Sequence, residues 1–171
     1  MFRRGAAAAC GPGRQHQSQD QGGDAPCGPD QLILRPYSDD DLSGLLTCWE
    51  AAIRSASPKL PERFILTELT NIQQSYLPKV QTTVAENGQI QGFISMLGTE
   101  VAALFVHPFE QRMGLGAALL GSQDAQTLEV FEANTRARAF YAKHAFRQTG
   151  TRMHEEAGLM LCCMTRAPIS S

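Results

Sequence analysis

Apolar residues recur every three or four positions in two stretches after residue 40, and this spacing predicts two amphipathic helices. The buried face of the first helix would consist of Leu42, Leu45, Leu46, Trp49 and Ile53. The second helix would run from about Glu62 to Tyr76, with Pro78 ending it. Its buried face would consist of Phe64, Ile65, Leu69 and Ile72. A short strand at residues 32–34 precedes both helices, and polar residues 38–41 offer N-cap chemistry.

From residue 80 onward, short apolar blocks separated by turn residues predict strands. Asn87-Gly88 is a strong hairpin signal between strands at 80–86 and 89–97, and Gly98-Thr99 makes a second turn into a strand at 100–106. A helix, a strand at 127–131, a helix at 135–144 and strands at 146–152 and 159–166 follow. The polar pair His154-Glu155 predicts a solvated loop. This order of elements predicts a mixed α/β or α+β sheet with helices against its faces.

The first thirty residues differ in composition from the rest of the chain. They are rich in Gly, Gln, Ala and Pro and contain almost no large apolar residues. Such a segment cannot bury enough surface to offset the entropy of ordering it. We therefore expect residues 1–30 to form a disordered N-terminal extension and residues 31–168 to form one domain.

The composition narrows the class of protein. Of the 171 residues, 43% are hydrophobic, and the formal net charge is -2, whereas a general nucleic-acid binder normally has a strongly basic face. No apolar run approaches the ~20 residues that span a bilayer. The five cysteines have neither framework nor metal-binding spacing, which is typical of reduced thiols in a cytoplasmic protein. We therefore expect a cytoplasmic protein with no nucleic-acid partner, no membrane partner and no metal site.

The segment from Gln111 to Ala117 joins a strand to a helix through two glycines. A dinucleotide fingerprint needs a third glycine where Leu119 stands, and a nucleoside-triphosphate loop needs a lysine after the glycines. Gly114 and Gly116 would instead let backbone N–H groups approach an anion, and the helix start would add N–H groups of its own. The alternatives at this point are an anion cradle and a tight turn whose glycines serve packing alone.

A second segment favours the cradle. Asn134 and Tyr141 stand two helical turns apart on one face of the predicted helix 135–144. The small residues Ala137 and Ala139 would allow this helix to lie close to another element. Tyr141 taken alone is more typical of an amphipathic core residue.

Together these segments resemble the GNAT superfamily of acetyl-CoA-dependent N-acetyltransferases. The resemblance extends from about Leu32 to Arg166 and is carried by ALFVHP, QRMGLGAALL and LEVFEANTRARAFYAKHAF. It implies a mixed, mostly antiparallel central sheet of six to seven strands, with helices on both faces and a splayed pair of strands at the cofactor site. It also implies an enzyme that transfers an acetyl group from acetyl-CoA to a primary amine of a small molecule or peptide, by direct attack in a ternary complex.

The resemblance further implies roles for particular residues. The backbone of Leu104, Phe105 and Val106 would pair with the pantetheine arm of acetyl-CoA, and Asn134 would hydrogen-bond the cofactor or a bridging water. Tyr141 would stand near the thioester sulfur and act as general acid. The cofactor-binding loop, whose backbone would hold the pyrophosphate, would comprise Gln111, Arg112, Met113, Gly114, Leu115, Gly116 and Ala117.

Several alternatives stay open in the sequence. The general base is Glu100, His107, Glu110 or a water chain, and a backbone N–H of Val106 or a neighbour would polarise the acetyl carbonyl. The helix after Gly116 is about one turn shorter than the family pattern. Ala145 stands where that pattern has glycine, so we expect a strained left-handed turn or a different turn. The other functions are a non-catalytic acetyl-CoA-binding sensor or partner module and a structural domain, and the chain is a monomer or a homodimer.

Overall fold

The computed structural model describes residues 31–111, 113–155 and 158–168. The predicted disordered extension and Arg112 lie outside the described residues. Within them, the chain forms seven strands and four α-helices in the predicted order. The strands are β1 (Ile33–Pro36), β2 (Gln81–Glu86), β3 (Ile90–Leu97), β4 (Glu100–Val106), β5 (Thr127–Phe131), β6 (Arg147–His154) and β7 (Leu159–Thr165). The helices are α1 (Leu42–Ala56), α2 (Glu62–Asn71), α3 (Leu115–Gly121) and α4 (Thr135–Lys143).

These seven strands form one sheet in the order β1-β2-β3-β4-β5-β7-β6. Neighbouring strands are antiparallel except for β4 and β5, which run parallel. Gly88 and Gly98, in the two predicted hairpin turns, have φ of +67° and +61°, a region that favours glycine. The predicted mixed, mostly antiparallel sheet is therefore confirmed.

The two faces of the sheet bury separate clusters of apolar side chains. On one face, α1 and α2 supply Leu45, Trp49 and Ile65, which belong to one cluster with Phe93 and Phe105 of the sheet. The opposite face is covered by α3 and α4, whose buried side chains form a second cluster with residues of β4, β5 and β7. We call these the α1/α2 face and the α3/α4 face. Helices on both faces agree with the predicted architecture.

The second helix extends from Glu62 to Tyr76 as predicted, although it is α-helical only to Asn71 and π-helical from Ile72. Some predictions about individual residues were wrong. Phe64 is 41% exposed, so it does not belong to the buried stripe of α2. His154 closes β6 and is buried, with its ring centroid 5.9 Å from that of Phe131, where a solvated loop was predicted. Ala139 is exposed on α4.

The α-helices of the described ranges have between 7 and 15 residues. None of them is long and apolar enough to cross a membrane. The longest, α1, has 15 residues, fewer than the ~20 that a transmembrane helix needs.

Candidate functional site

The parallel strands β4 and β5 pair briefly and then separate. Glu100 is in register with Thr127 and Val101 with Leu128, and within the described residues no later pair joins the two strands. We call this point the fork. The gap is the space beyond it, between residues 102–106 of β4 and residues 129–131 of β5. The predicted splayed pair of strands is therefore confirmed.

A β-bulge in β4 lies at the fork. Across the β3–β4 ladder, Ser95 pairs with Ala103 but Met96 pairs with Val101, so Ala102 is an extra residue on β4. A bulge bends the strand that contains it and increases the local twist. The bulge at Ala102 therefore explains why β4 leaves β5 at this point.

Alternate backbone groups of β4 face the gap. The His107 N–H donates to the Gln91 carbonyl at 2.8 Å, which places residues 107, 105 and 103 in the hydrogen-bonded pairs with β3. The N–H and C=O groups of Leu104 and Val106 therefore point away from β3, toward the gap. Phe105 instead directs its backbone groups to β3. Of the three residues predicted to pair with the pantetheine arm, Leu104 and Val106 thus face the gap and Phe105 does not.

The glycine loop stands at the open end of the gap. Gly114 is the N-cap residue of α3 with φ of +81°, a left-handed conformation that a side chain would strain. A Cβ atom on Gly116 would lie 3.4 Å from the Phe140 ring and 3.8 Å from a Val106 methyl group. The loop therefore packs closely against both α4 and β4. Helix α3 has 7 residues, which confirms the predicted short helix.

Gln111 anchors the start of this loop. Its buried side chain donates from Nε2 to the Val106 carbonyl at 3.0 Å, so it fixes the direction in which the chain leaves β4. After it, Met113 is exposed and Leu115 is buried in the core, while Ala117 in the first turn of α3 is half-buried. The buried Leu115 thus anchors this segment to the core, while Met113 faces solvent.

Helix α4 brings the two predicted residues Asn134 and Tyr141 to the α3/α4 face. Asn134 caps the helix, and its Oδ1 accepts a hydrogen bond from the Ala137 N–H at 3.1 Å. Tyr141 is fully buried, with its ring edge-on to those of Phe140 and Phe146 at 5.2 and 5.6 Å. It shares a cluster with the two β4 residues that face the gap. Its role as general acid stays a prediction.

The turn after Tyr141 is a Schellman motif that ends α4. The Phe146 N–H donates to the Tyr141 carbonyl at 3.0 Å, and the Ala145 N–H donates to the Ala142 carbonyl at 3.2 Å. Ala145 has φ of +68° and is the non-glycine residue of the described chain with positive φ. The left-handed turn expected at Ala145 is therefore confirmed.

On the α1/α2 face, charged side chains gather at the fork. Glu100 begins β4, and Glu129 is the first residue of β5 past the fork. Arg152 of β6 donates two hydrogen bonds to the Glu129 carboxylate, at 2.7 and 2.5 Å, and the Cys163 thiol lies 3.8 Å from the same carboxylate. Sequence reasoning missed the Glu129–Arg152 pair because its members come from separate strands and are 23 residues apart.

The candidate bases lie at opposite ends of β4. His107 and Glu110 follow its open end, where they line a cleft of about 600 Å³. The His107 Nδ1 accepts a hydrogen bond from the Phe109 N–H at 3.3 Å. Glu100 stands at the fork, about 20 Å away at ~3.3 Å per residue. Its charge adds to the effect of burial in raising the pKa of Tyr76. Of these three candidates, Glu100 is the one at the fork.

Two cysteines beside these features are poor nucleophiles. Burial raises the pKa of the Cys48 thiol, in the wall of the cleft, to about 12. Burial, together with the nearby Glu129 carboxylate, also raises the pKa of Cys163. The thiolate is the nucleophilic form of cysteine, so neither residue is suited to carry an acyl group.

Comparisons with known proteins agree with this geometry. Residues 78–148 match the family model described as acetyltransferase (GNAT) domain. The chain is 34% identical over 133 residues to the peptidyl-lysine N-acetyltransferase YjaB of Escherichia coli K12, which covers 74% of this chain and 90% of YjaB. The solution structure of apo-form YjaB from E. coli matches with a TM-score of 0.66 at 25% identity, over 81% of this chain and 99% of that one. The structure of yncA from Salmonella typhimurium with its cofactor acetyl-CoA shares the fold, with a TM-score of 0.58 at 16% identity over 82% and 97% of the two chains.

Proposed function

The chain belongs to the GNAT family of acetyltransferases, and we propose that it transfers the acetyl group of acetyl-CoA to the side-chain amine of a lysine in a protein or peptide. The observation that carries this proposal is the gap between β4 and β5, with the glycine loop at its open end and carboxylates at its fork. The lysine acceptor is supported by the similarity to YjaB, which is named a peptidyl-lysine N-acetyltransferase.

The gap and the loop fit the parts of acetyl-CoA. The N–H and C=O groups of Leu104 and the N–H of Val106 would pair with the amides of the pantetheine arm as an added strand does, while the Val106 carbonyl already accepts a hydrogen bond from Gln111. N–H groups of residues 112–117 would hold the pyrophosphate, because Gly114 and Gly116 place no side chain in the way. Asn134 stands at the start of α4, where its side-chain amide would hydrogen-bond the cofactor or a bridging water. A Cβ atom at position 116 would point at Phe140 and Val106, so Gly116 lets this segment lie close to α4 and β4.

The acceptor would reach the fork from the α1/α2 face. The proposed cofactor residues Asn134 and Tyr141 belong to α4 on the opposite face, and the loop leads into α3 on that same side. A second substrate must therefore approach from the side where Glu100 and Glu129 lie. The raised pKa of Cys163, the thiol beside Glu129, supports direct attack in a ternary complex over an acyl-enzyme.

The transfer needs three proton movements. A lysine ammonium first loses a proton to the Glu100 carboxylate, directly or through water, and the neutral amine then attacks the acetyl carbonyl. The carbon–sulfur bond breaks, and the departing sulfur takes a proton from the Tyr141 hydroxyl. The second proton that the nitrogen loses restores the tyrosine. A thiol has a pKa of ~8.5 and a tyrosine ~10, so this donation is a modest uphill step that a good position can support.

Helix α3 is short, but the strand that follows it is still in place. β5 pairs with β4 at the fork and with β7 along its length. The reason for expecting a non-catalytic acetyl-CoA-binding module was that the short helix would shift this strand. The observed pairing favours the enzyme.

The test is an acceptor panel with purified protein and acetyl-CoA. The panel contains end-blocked peptides with one lysine, the same peptides with arginine in that place, free amino acids and polyamines. We expect release of CoA and addition of one acetyl group to the lysine peptides, measured by thiol assay and mass spectrometry. Acetyl-CoA binding by calorimetry without turnover of any acceptor would instead identify a binding module. Turnover of polyamines or amino acids but not of lysine peptides would show a different acceptor class.

A further inference from the structure

Glu129 occupies a special position on β5. Leu128 and Val130 belong to the cluster on the α3/α4 face, so Glu129 between them points to the α1/α2 face. It directly follows the last residue of β5 that pairs with β4. Glu100 points to the same face, because its neighbour Val101 belongs to the α3/α4 cluster. Two carboxylates therefore stand at the fork on the side from which the acceptor would arrive.

Arg152 covers the Glu129 carboxylate. It reaches across β7 from the edge strand β6 and binds both carboxylate oxygens, at 2.7 and 2.5 Å. The Arg152 side chain is 41% exposed, whereas that of Glu129 is 16% exposed. The cation thus forms the outer layer and the carboxylate the inner one. A molecule that comes from solvent meets the guanidinium first.

The charges around this pair favour a cation. Glu129 is the main cause of the raised pKa of Arg152, and Glu100 contributes to it as well. Both carboxylates therefore favour a positive charge at this position. Exchange of one cation for another keeps the Glu129 carboxylate paired, so it costs less than leaving that carboxylate without a cation. A lysine ammonium is a compact charge, so it can bind the Glu129 carboxylate without the planar, two-point geometry that a guanidinium uses.

We propose that Glu129 is the specificity-determining residue that receives the ammonium group of the acceptor, and that Arg152 occupies this carboxylate until the acceptor displaces it. The inference rests on the proposed function, because it assumes a lysine acceptor. Arg152 therefore competes with the substrate, although it is a partner of the residue that binds it. A purely structural ion pair has no such opposition between its members.

Two variants distinguish competition between Arg152 and the acceptor from a purely structural role of the Glu129–Arg152 ion pair. Glu129→Gln removes the carboxylate, so the Kd of a lysine peptide for the enzyme with bound CoA should rise by at least about 10-fold. Arg152→Gln removes the competitor, so the same Kd should fall by about 3-fold or more. Both constants are measured by calorimetry with free CoA, which prevents turnover, and KM with acetyl-CoA should follow the same directions.

Control measurements test whether the two variants change only the binding of the acceptor ammonium. The Kd of CoA should stay within about 2-fold of the wild type in both variants, which also shows that they are folded. A peptide with norleucine in place of lysine should bind all three proteins equally, because it lacks the ammonium. Arg54→Gln breaks exposed ion pairs with Glu50 and Glu62 at the far side of α1 and should change nothing.

The outcomes are distinct. Opposite changes in the two variants support the inference. Changes in the same direction, or none, overturn it and leave the proposed function intact when the wild type acetylates lysine peptides. A wild-type enzyme that acetylates other amines but no lysine peptide refutes the proposed function itself, and the inference with it.

Discussion

The two sides of the gap are built in different ways. On the α3/α4 face, the residues proposed to hold acetyl-CoA lie in two short segments, 111–117 and 134–145, each organised by local backbone geometry. On the α1/α2 face, Glu100, Glu129 and Arg152 come from three strands and meet through sheet register alone. A cofactor side that depends on local geometry can be indicated by a short motif in the sequence, whereas an acceptor side that depends on register cannot.

The largest expected effect tests the cofactor side at Gly116. Gly116→Val should weaken acetyl-CoA binding by about 100-fold, because its side chain would press on Phe140 and Val106 and displace the loop. Calorimetry with acetyl-CoA measures this loss. Gly121→Ala is the matched control at the end of α3, where an added Cβ meets no atom within 4 Å, and it should bind normally. Wild-type affinity in Gly116→Val would place the cofactor elsewhere.

A second variant on the same face should change chemistry without changing binding. Tyr141→Phe removes the proposed proton donor but keeps the buried ring in place, so kcat should fall by about 100-fold. The Kd of acetyl-CoA should stay within about 2-fold. Single-turnover kinetics with a confirmed acceptor measure the step, and Tyr37→Phe outside the gap serves as control. A Tyr141→Phe enzyme with the wild-type rate contradicts the role as acid.

A third variant lies outside both sides of the gap and should affect stability alone. The Arg35 guanidinium binds Asp41 and lowers the pKa of that carboxyl to about 2. A lowered carboxyl pKa stabilises the fold above pH ~4, and this contribution is lost as pH falls toward 2. Asp41→Asn should therefore reduce the free energy of unfolding by about 1–2 kcal/mol at pH 7 and by little near pH 2.

Urea denaturation at several pH values measures this difference. Asp40→Asn, at the exposed neighbouring position, is the matched control and should leave stability nearly unchanged. A difference between wild type and Asp41→Asn that stays constant from pH 7 to pH 2 would show that packing, rather than the ion pair, is lost. The acetyl-CoA affinity of Asp41→Asn should equal that of the wild type at pH 7.

The smallest expected effect is a gain at the end of α4. Ala145→Gly relieves the left-handed backbone at φ of +68° and should stabilise the protein by up to about 1 kcal/mol. Thermal unfolding should then show a Tm higher by roughly 2–4 °C. Ala142→Gly, one turn earlier in the helix, should have the opposite sign, because glycine in a helix interior is destabilising. Equal effects of both substitutions contradict the assigned strain.

Much of the fold follows from local signals in the sequence. Hairpin glycines at positions 88 and 98 adopt the left-handed conformation that the turns require. The apolar spacing of α1 places Leu45 and Trp49 in the core, as predicted. Ala145 stands where the family pattern has glycine, Gly114 belongs to the predicted glycine loop, and both have positive φ. These features depend on a few neighbouring residues, so the sequence alone can indicate them.

Other features depend on contacts that the sequence does not reveal. The bulge at Ala102 occurs at an ordinary alanine, and the one-residue shift between β3 and β4 appears only in the assembled ladder. His154 stands in a polar stretch that indicates a loop, yet the pairing of β6 with β7 extends to it and Phe131 covers its ring. The pair of Glu129 and Arg152 is a consequence of strand order, in which β7 lies between β5 and β6.

Acetyl-CoA is proposed to lie along β4 and to pair with the backbone groups that face the gap. Amide hydrogen exchange followed by NMR, with and without saturating acetyl-CoA, tests it directly. We predict that the N–H groups of Leu104 and Val106 become protected, while those of Phe105 and His107, already directed to β3, change little. Acetyl-CoA binding that leaves the N–H groups of Leu104 and Val106 unprotected would contradict this position of acetyl-CoA along β4.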